Sequence, residues 1–256
     1  MRLDSFLVAG GYFSTRTKAK QAIERGEVTL NGVKITKPAF AVNEDHPCNI
    51  QINFEESFVS LGGYKLSKAI KDFDFSVNGL VCADIGASTG GFTDCLLQNG
   101  AKRVFAVDVN GDLLAPRLKA DKRVAPVIKN CKDLTSADFD AVVEFLAADL
   151  SFISETATLP FFYDILKDGA FAVILIKPQF ENEHKRRFKN GIIRDKKIIL
   201  NACRRVFDCA VQCGFVPVDI TSAPVSEDKN REFLFLIRKI EGTAPPFTEF
   251  SEKLFR

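Results

Sequence analysis

The feature that most constrains the fold is the stretch 80–93, LVCADIGASTGGFT. Its first residues, 80–85, form a short apolar run that predicts a buried strand, and residues 92–98 predict the first turns of a helix. The glycine-rich segment GASTGG lies between the two. A strand that leads into a helix through such a turn places backbone N–H groups and a helix N-terminus at the carboxyl edge of a sheet, where open α/β sheets bind ligands. The stretch therefore predicts an α/β fold with a ligand site at this turn.

Acidic residues next to the turn indicate the kind of ligand. Position 88 is Ser, so the turn does not match the dinucleotide fingerprint G-x-G-x-x-G. Asp84 precedes the turn, and a second predicted strand, 103–108, ends in Asp108, where a carboxylate typically binds ribose hydroxyls. The pattern resembles the S-adenosylmethionine site of a Rossmann-like class I methyltransferase; a tight turn without a ligand is the alternative. The resemblance implies a cofactor-binding set made of Asp84, Gly86, Ala87, Ser88, Thr89, Gly90, Gly91, Phe92, Asp108, Val109, Asp133 and Asp149.

The pattern after residue 80 alternates between strands and helices, which favours a parallel sheet. Further strands are predicted at 124–128, 145–150, 171–176, 216–221 and 232–238, and helices at 155–166 and 196–213. Residues 61–66 (LGGYKL) are expected to form a loop that presents Tyr64 and Lys65, followed by a helix from about 67 to 73. We predict a methyltransferase domain over 61–256, joined to a smaller domain by a linker at 55–60.

Residues 1–54 have a different pattern, with two short helices (2–9 and 15–25), a hairpin at 28–35 around Asn31-Gly32, and a strand near 48–54. Their spacing of arginines, glycines and apolar residues resembles the αL-type RNA-binding domain found in a small-subunit ribosomal protein. A solvated basic face on an accessory domain is the alternative. The resemblance implies a small α+β domain that contacts structured RNA through Arg2, Arg16, Lys18, Lys20 and Arg25.

Composition bounds the location and the partners. The formal net charge is only +2, so a nucleic-acid surface has to come from local clusters. The seven cysteines lack paired metal-ligand spacing and predict reduced thiols without a metal site. No apolar run approaches the ~20 residues that span a bilayer, and the first residues lack the core of a signal peptide. We expect a cytoplasmic protein that does not act on membranes.

Two charged residues follow predicted strands at the same edge of the sheet, Asp149 after the fourth strand of the larger domain and Lys177 after the fifth. A lysine at the end of an apolar strand is costly unless it is paired or used. Methyl transfer to an alcohol requires an aligned oxygen and a group that removes the proton or stabilises the developing charge. A lysine suits the second task, either as a base or as a cation.

These residues carry a more specific resemblance. Lys65, Asp149, Lys177 and Glu232 match, in order and context, the Lys-Asp-Lys-Glu set of FtsJ-type 2′-O-ribose RNA methyltransferases. With the αL-type domain and the segments 86–93 (GASTGGFT), 149–154 (DLSFIS) and 177–181 (KPQFE), nearly the whole chain resembles the TlyA family, also named hemolysin A-like. The segment 191–194 is GIIR where this family usually has GVVR, a conservative departure. The resemblance implies 2′-O-methylation of cytidine in ribosomal RNA, 16S, 23S or both, by a monomer. The resemblance, together with the basic loop after the fifth strand, implies further RNA contacts at Tyr64, Lys185, Arg186, Arg187, Lys189 and Arg194.

Two other functions remain open. A non-catalytic RNA-binding assembly factor could have kept the same fold without turnover. A membrane-active hemolysin would need an apolar or amphipathic stretch to enter a bilayer, and the sequence offers none. Amino-N-methyltransferases and carbon-5 cytosine methyltransferases fit less well, because their Asn/Asp-Pro-Pro and Pro-Cys motifs are not at the predicted active edge.

Overall fold

The computed structural model describes residues 1–13, 15–24, 26–42, 49–52, 58–181, 188, 191–225 and 229–255, with Lys18 described by its backbone alone. The chain divides into two compact units, Met1–Ser57 and Phe58–Arg256. Residues 58–60, which the sequence analysis assigned to the linker, group with the second unit. Among the described helices, none combines the length and apolar character that crossing a bilayer requires.

The first unit packs two helices on a three-stranded antiparallel sheet of order β2-β1-β3. Leu3, Leu7, Ile23 and Val28 form the centre of its core and are fully buried. The predicted hairpin is confirmed: Asn31 and Gly32 both have positive φ, 51° and 78°, as a two-residue turn requires. The elements are α1 (Leu3–Ala9), α2 (Arg16–Glu24), β1 (Val28–Leu30), β2 (Val33–Ile35) and β3 (Ile50–Ile52).

The second unit contains a seven-stranded sheet of order β6-β5-β4-β7-β8-β10-β9. Strands β4 to β8 are parallel, whereas β10 is antiparallel to both β8 and β9. The order reverses at β4, which lies between β5 and β7, and ligands of open α/β sheets bind at such a reversal. The strands are β4 (Val81–Ile85), β5 (Arg103–Asp108), β6 (Val124–Ile128), β7 (Val143–Ala148), β8 (Leu166–Ile176), β9 (Val216–Ser222) and β10 (Phe233–Arg238).

Helices cover both faces of this sheet. Side chains that alternate along the strands enter two separate core clusters: Cys82 belongs to one, while Ala83 and Ile85 belong to the other. This two-sided burial explains why the strands are almost continuously apolar. The helices are α3 (Leu61–Phe73), α4 (Gly91–Gln98), α5 (Pro116–Lys119), α6 (Leu159–Ile165), α7 (Pro178–Glu181), α8 (Lys196–Gln212) and α9 (Phe247–Ser251).

The predicted loop at 61–66 was wrong, because α3 already begins at Leu61. Close packing explains the second glycine of its first turn, Gly63. A Cβ on Gly63 would lie 2.2 Å from the ring of Phe58, and a Cβ on Gly91 of α4 would lie 2.9 Å from the Gly63 backbone nitrogen. The glycines therefore let α3 approach the start of α4, and Lys65 projects from a helix instead of a loop.

Other boundaries also differ from the prediction. Strand β7 spans Val143–Ala148 instead of 145–150, so Asp149 follows the strand. The helix expected at 155–166 is a 3₁₀ turn (Glu155–Ala157) followed by α6, because Pro160 fits the first turn of a helix but not its interior. Strand β8 begins at Leu166, five residues earlier than expected, and α9 was not anticipated.

Candidate active site

The turn after β4 is organised by Asp84, which is fully buried. Its Oδ2 accepts hydrogen bonds from the backbone N–H of Thr93 (2.7 Å) and from the Thr93 hydroxyl (2.6 Å). Its Oδ1 has no hydrogen-bond partner among the described residues, although Asp84 lines a cavity of about 200 Å³ at this edge of the sheet. Burial raises the pKa of Asp84 to about 7, and the nearby carboxylates of Asp149 and Asp108 add to the rise. The site thus has an acceptor in position for a cationic group.

Glycine is required where the turn meets the neighbouring loop. Gly86 has a φ of +84°, and a Cβ there would lie 2.8 Å from the Asp149 carbonyl oxygen. Gly90 has a φ of +93°, and a Cβ there would collide with Leu118. Gly90 therefore serves packing beneath the turn, whereas Gly86 lets the backbones after β4 and β7 come together.

Ser88 and Asp108 connect the ends of β4 and β5. Ser88 takes a positive φ of 49°, and its N–H donates to Asp108 Oδ2 at 2.8 Å. Asp108 Oδ1 accepts from the Asn110 N–H at 3.0 Å. The strand-ending carboxylate is therefore fixed by two backbone donors at the rim of the turn.

The other predicted cofactor residues are distributed around this edge. Ala87, Thr89, Gly91 and Phe92 line the cavity together with Asp84, Gly86, Ser88 and Asp149. Val109, directly after β5, is 68% exposed, and Asp133 lies in an exposed 3₁₀ turn after β6. Val109 and Asp133 do not line the cavity, but they follow adjacent parallel strands at its edge of the sheet.

Lys65, Asp149, Lys177 and Glu232 form one ion network. Lys177 Nζ lies 2.6 Å from Asp149 Oδ1. Lys65 Nζ lies 2.6 Å from Glu232 Oε2 and 3.7 Å from Asp149 Oδ2. The four groups come from α3, the loop after β7, the end of β8 and the start of β10, so the fold brings together residues 167 positions apart in the chain.

Lys177 is the most buried member of the network, with 7% of its surface exposed. Its Nζ donates a second hydrogen bond to Ser151 Oγ at 2.9 Å and lies 5.8 Å from the centre of the Phe180 ring. Two positive and two negative side chains balance one another, which offsets the cost of holding the lysine out of water. Sequence reasoning did not single out Ser151, although it lies two residues after Asp149.

Glu181 holds the two loops that carry this network. Its Oε1 accepts from the Glu155 N–H at 2.7 Å, and its Oε2 accepts from the Ser154 hydroxyl at 2.5 Å. Glu155 beneath it is fully buried, and burial raises the pKa of Glu155 well above its usual range. The spacing KPQFE was the available signal, because Lys177 directly precedes α7 and Glu181 lies four residues later, one helical turn away. Glu181 therefore links the loop after β7 to the end of β8.

Phe152 is an exposed aromatic residue at the same rim. It is 91% exposed, its φ of 66° lies in the left-handed region, and its ring centre is 5.2 Å from that of Phe180. A non-glycine residue in this conformation is uncommon and is often associated with a functional site. The ring offers a stacking surface three residues after Asp149.

The predicted RNA-binding residues are divided between the two units. In the first unit, Asp4 links Arg2 and Arg16: Arg2 NH2 lies 2.9 Å and Arg16 Nε 3.1 Å from Asp4 Oδ2, and Lys20 pairs with Glu24 at 3.6 Å. In the second unit, Tyr64 packs edge-on against Phe58. Arg194 lines a different cavity from the one at the turn after β4. The remaining predictions fall outside the described residues or, for Lys18, on an undescribed side chain: Lys18, Arg25, Lys185, Arg186, Arg187 and Lys189.

Comparison with known families matches residues 58–240 to the FtsJ-like methyltransferase model, which covers the whole cavity and all four members of the network. The chain belongs to the FtsJ-like methyltransferase family. An S4 domain model matches residues 1–46, so the family resemblance predicted from the sequence is confirmed for both units of this FtsJ-like methyltransferase.

Proteins similar to this chain carry two kinds of name. The chain is 42% identical over 241 residues to Hemolysin A of Brachyspira hyodysenteriae, covering 91% of this chain and 98% of that protein. It is 34% identical over 239 residues to the 16S/23S rRNA (cytidine-2′-O)-methyltransferase TlyA of Mycobacterium tuberculosis, covering 93% and 89%. A solved structure of a protein named as a hemolysin from Streptococcus thermophilus superposes with a TM-score of 0.73 at 36% identity, covering 99% of this chain and 94% of that one.

Proposed function

We propose that this protein transfers a methyl group from S-adenosylmethionine to the 2′-oxygen of cytidine in ribosomal RNA. The observation that carries the proposal is the buried Lys177 at the centre of the four-residue network, next to the glycine-rich turn. The TlyA relative, which carries the same activity in its name, supports the choice of cytidine and of ribosomal RNA. The domain organisation that we propose is an RNA-binding domain over 1–54, a linker at 55–57 and a catalytic domain over 58–256.

The turn after β4 fits the cofactor. The unpartnered Oδ1 of Asp84 would accept from its ammonium group, and Asp108 would bind the hydroxyl pair of its ribose. Exposed Val109 and Asp133 would hold its adenine, one by apolar contact and one by a hydrogen bond. When bound, S-adenosylmethionine supplies an electrophilic methyl group.

The four-residue network acts on the nucleophile. Lys177 Nζ would donate to the 2′-oxygen and offset the charge that develops on it while the bond to the methyl carbon forms, the methyl–sulfur bond breaks and the hydroxyl proton is released to solvent. Asp149 and Ser151 hold that amine in place from two sides, at 2.6 and 2.9 Å. Lys65, fixed by Glu232, balances the second oxygen of Asp149. All four residues come from one chain, so a monomer suffices for the proposed reaction. The proposed ribosomal substrate favours an enzyme of the cytoplasm.

The direct test is methyl transfer from labelled S-adenosylmethionine to purified ribosomal subunits that lack the modification, followed by nucleoside analysis. We expect 2′-O-methylcytidine. Label on a base would show that the acceptor atom is wrong. Cofactor binding without transfer to either subunit would support the RNA-binding assembly factor, and leakage of protein-free liposomes on adding the pure protein would support the hemolysin.

Cofactor affinity should depend on pH through Asp84. Burial raises the pKa of Asp84 to about 7 in the free protein, and a bound ammonium group favours the ionised carboxylate. Below pH 7, binding therefore has to displace a proton, so affinity weakens as the pH falls. We expect the dissociation constant to rise about tenfold between pH 8 and pH 6, measured by isothermal titration calorimetry.

An Asp84→Asn variant provides the control for this pH dependence. It keeps the size of the side chain and an acceptor for Thr93 but cannot ionise, so its affinity should be weaker at pH 8 and should lose most of the dependence on pH. Equal pH profiles for Asp84→Asn and the unaltered protein would show that another group controls binding.

In the first unit, Asp4 should act as a positioning residue for RNA binding. Its carboxylate is buried, and the hydrogen bond from the Arg2 guanidinium holds the pKa of Asp4 well below its usual range. Replacing Asp4 by Asn removes a negative charge, which by electrostatics alone strengthens RNA binding. We expect the opposite, a dissociation constant about fivefold higher, because Arg2 and Arg16 lose the carboxylate that orients both.

The matched control is Glu24→Gln, which also removes one negative charge from this unit but frees only the half-exposed Lys20. Both variants are compared by fluorescence anisotropy with a ribosomal RNA fragment at several salt concentrations. Tighter binding by both variants would mean that Asp4 contributes charge alone and positions nothing.

A further inference from the structure

A second cavity, of about 460 Å³, lies next to the four-residue network. Glu232 lines this cavity, and its Oε2 accepts from Lys65, which lines the catalytic cavity. We call the second cavity the cationic groove, because four basic side chains line it: Arg194, Lys196, Lys229 and Arg231.

The walls of the cationic groove are fixed by Asn230. Its Oδ1 accepts from the Ile193 N–H at 2.7 Å, and its Nδ2 donates to the Gly191 carbonyl at 2.9 Å. These bonds join the segment before α8 to the segment before β10. The Ala223 N–H donates to the Glu232 carbonyl at 2.8 Å, which ties the end of β9 to the same wall. The basic side chains therefore project from a pre-formed scaffold.

The floor of the groove is apolar. Ile193, Ile199 and Ala223 line it and are buried. Phe255 closes one side, with Lys196 Nζ 5.2 Å from the centre of its ring. A cationic rim over an apolar floor suits a single strand of nucleic acid, whose phosphates bind cations while its bases and sugars contact apolar surface.

The charge of the groove is local. The only carboxylate among its described lining residues belongs to Glu232, and Lys65 already neutralises that group at 2.6 Å. The cavity between β7 and α6, at the opposite edge of the sheet, is lined by three carboxylates, Asp140, Asp164 and Asp168, and by Lys167. A chain with a formal net charge of only +2 thus concentrates cations next to its catalytic network.

We propose that the cationic groove binds the phosphate backbone of the RNA nucleotide adjacent to the target ribose. The proposal rests on the proposed function, because a phosphodiester joins the methylated ribose to the next nucleotide, and the bonded pair Lys65–Glu232 connects the linings of the two cavities. Lys229 and Arg231 contact phosphate oxygens, and Asn230 positions the wall between them. The groove thereby aligns the strand so that the 2′-oxygen faces Lys177.

The test compares Lys229→Gln/Arg231→Gln with a control, Lys102→Gln/Lys122→Gln, in the full-length protein. The control removes two exposed lysines that precede β5 and β6 at the opposite edge of the sheet. Methyl transfer is measured on unmodified subunits and on protein-free ribosomal RNA across a range of salt concentrations. The groove variant should raise KM for RNA about tenfold and reduce the slope of log KM against log salt by about 1.4, with kcat within about twofold of the unaltered enzyme.

A third variant, Arg231→Lys, keeps the charge and should keep the salt slope, and a melting temperature equal to that of the control excludes misfolding. Equal KM and equal salt slope for the groove variant and the control would overturn the proposal that the cationic groove binds RNA. Methyl transfer by the unaltered enzyme in the same experiment would still support the proposed function. A defect on intact subunits with none on free RNA would assign the groove to a ribosomal protein. Absence of transfer by the unaltered enzyme would instead overturn the proposed function itself.

Discussion

Replacing Lys177 with methionine is expected to reduce methyl transfer by about a thousandfold or more while leaving the affinity for S-adenosylmethionine within about twofold. Methionine fills a similar volume but cannot donate a hydrogen bond or carry charge. Lys177 lies 2.6 Å from Asp149 and is almost fully buried, so water cannot replace its amine at the reacting oxygen. Single-turnover transfer to ribosomal RNA, with calorimetry for cofactor binding, measures both quantities.

Strand β8 provides the control for this substitution. Lys167 lies near its amino end and pairs with Glu144 at 3.0 Å, so the same two strands, β7 and β8, carry an ion pair at each edge of the sheet. Lys167→Met should retain full transfer, because Lys167 is about half exposed and lies at the opposite edge of the sheet from the turn. Near-normal transfer by Lys177→Met would remove Lys177 from the mechanism and leave the network a structural role.

Asp149→Asn is expected to reduce transfer about a hundredfold and to lower the melting temperature. The amide keeps the shape of the carboxylate, but Lys177 and Lys65 then face each other with Glu232 as the one remaining acid of the network. An almost buried lysine without its partner is costly, so this substitution differs from the loss of a surface pair. Thermal unfolding and single-turnover kinetics separate the two effects.

Two further variants serve as controls for Asp149→Asn. Glu144→Gln, the corresponding change at the other edge of β7, should alter neither transfer nor stability by much. The double variant Asp149→Asn/Lys177→Met should be more stable than Asp149→Asn alone, because it removes the uncompensated cation. If the double variant is instead less stable than both Asp149→Asn and Lys177→Met, the two side chains stabilise the fold independently and are not a coupled pair.

The hemolysin name carried by one relative has a bearing on these experiments. The described residues place a network of four charged groups and a glycine-rich turn at the active edge, an arrangement with a direct use in group transfer. The name of a relative describes that relative. The experiments on the Lys177 and Asp149 variants measure methyl transfer to RNA in this protein.

Much of the catalytic unit followed from the sequence because its signals are local. The apolar run before the turn, the glycines at 86 and 90, and the carboxylate at the end of β5 each depend on neighbouring residues in the chain. The hairpin at Asn31-Gly32 was predictable for the same reason. The boundary of α3 was not, because the glycines at 62 and 63 read as a loop until the close approach of α4 is known.

The sequence by itself determined the order of the strands and of the longer helices, the family and the identity of the four charged residues, because these depend on residue type and spacing along the chain. Only the tertiary structure decided that Lys177 shares Asp149 with Lys65, that Glu181 ties the two catalytic loops, and that Asp4 joins Arg2 to Arg16. It also placed Glu232 between the catalytic cavity and the cationic groove. These relations depend on distances between segments far apart in the chain, which are set by the packing of the sheet and its helices and are not encoded in any local pattern.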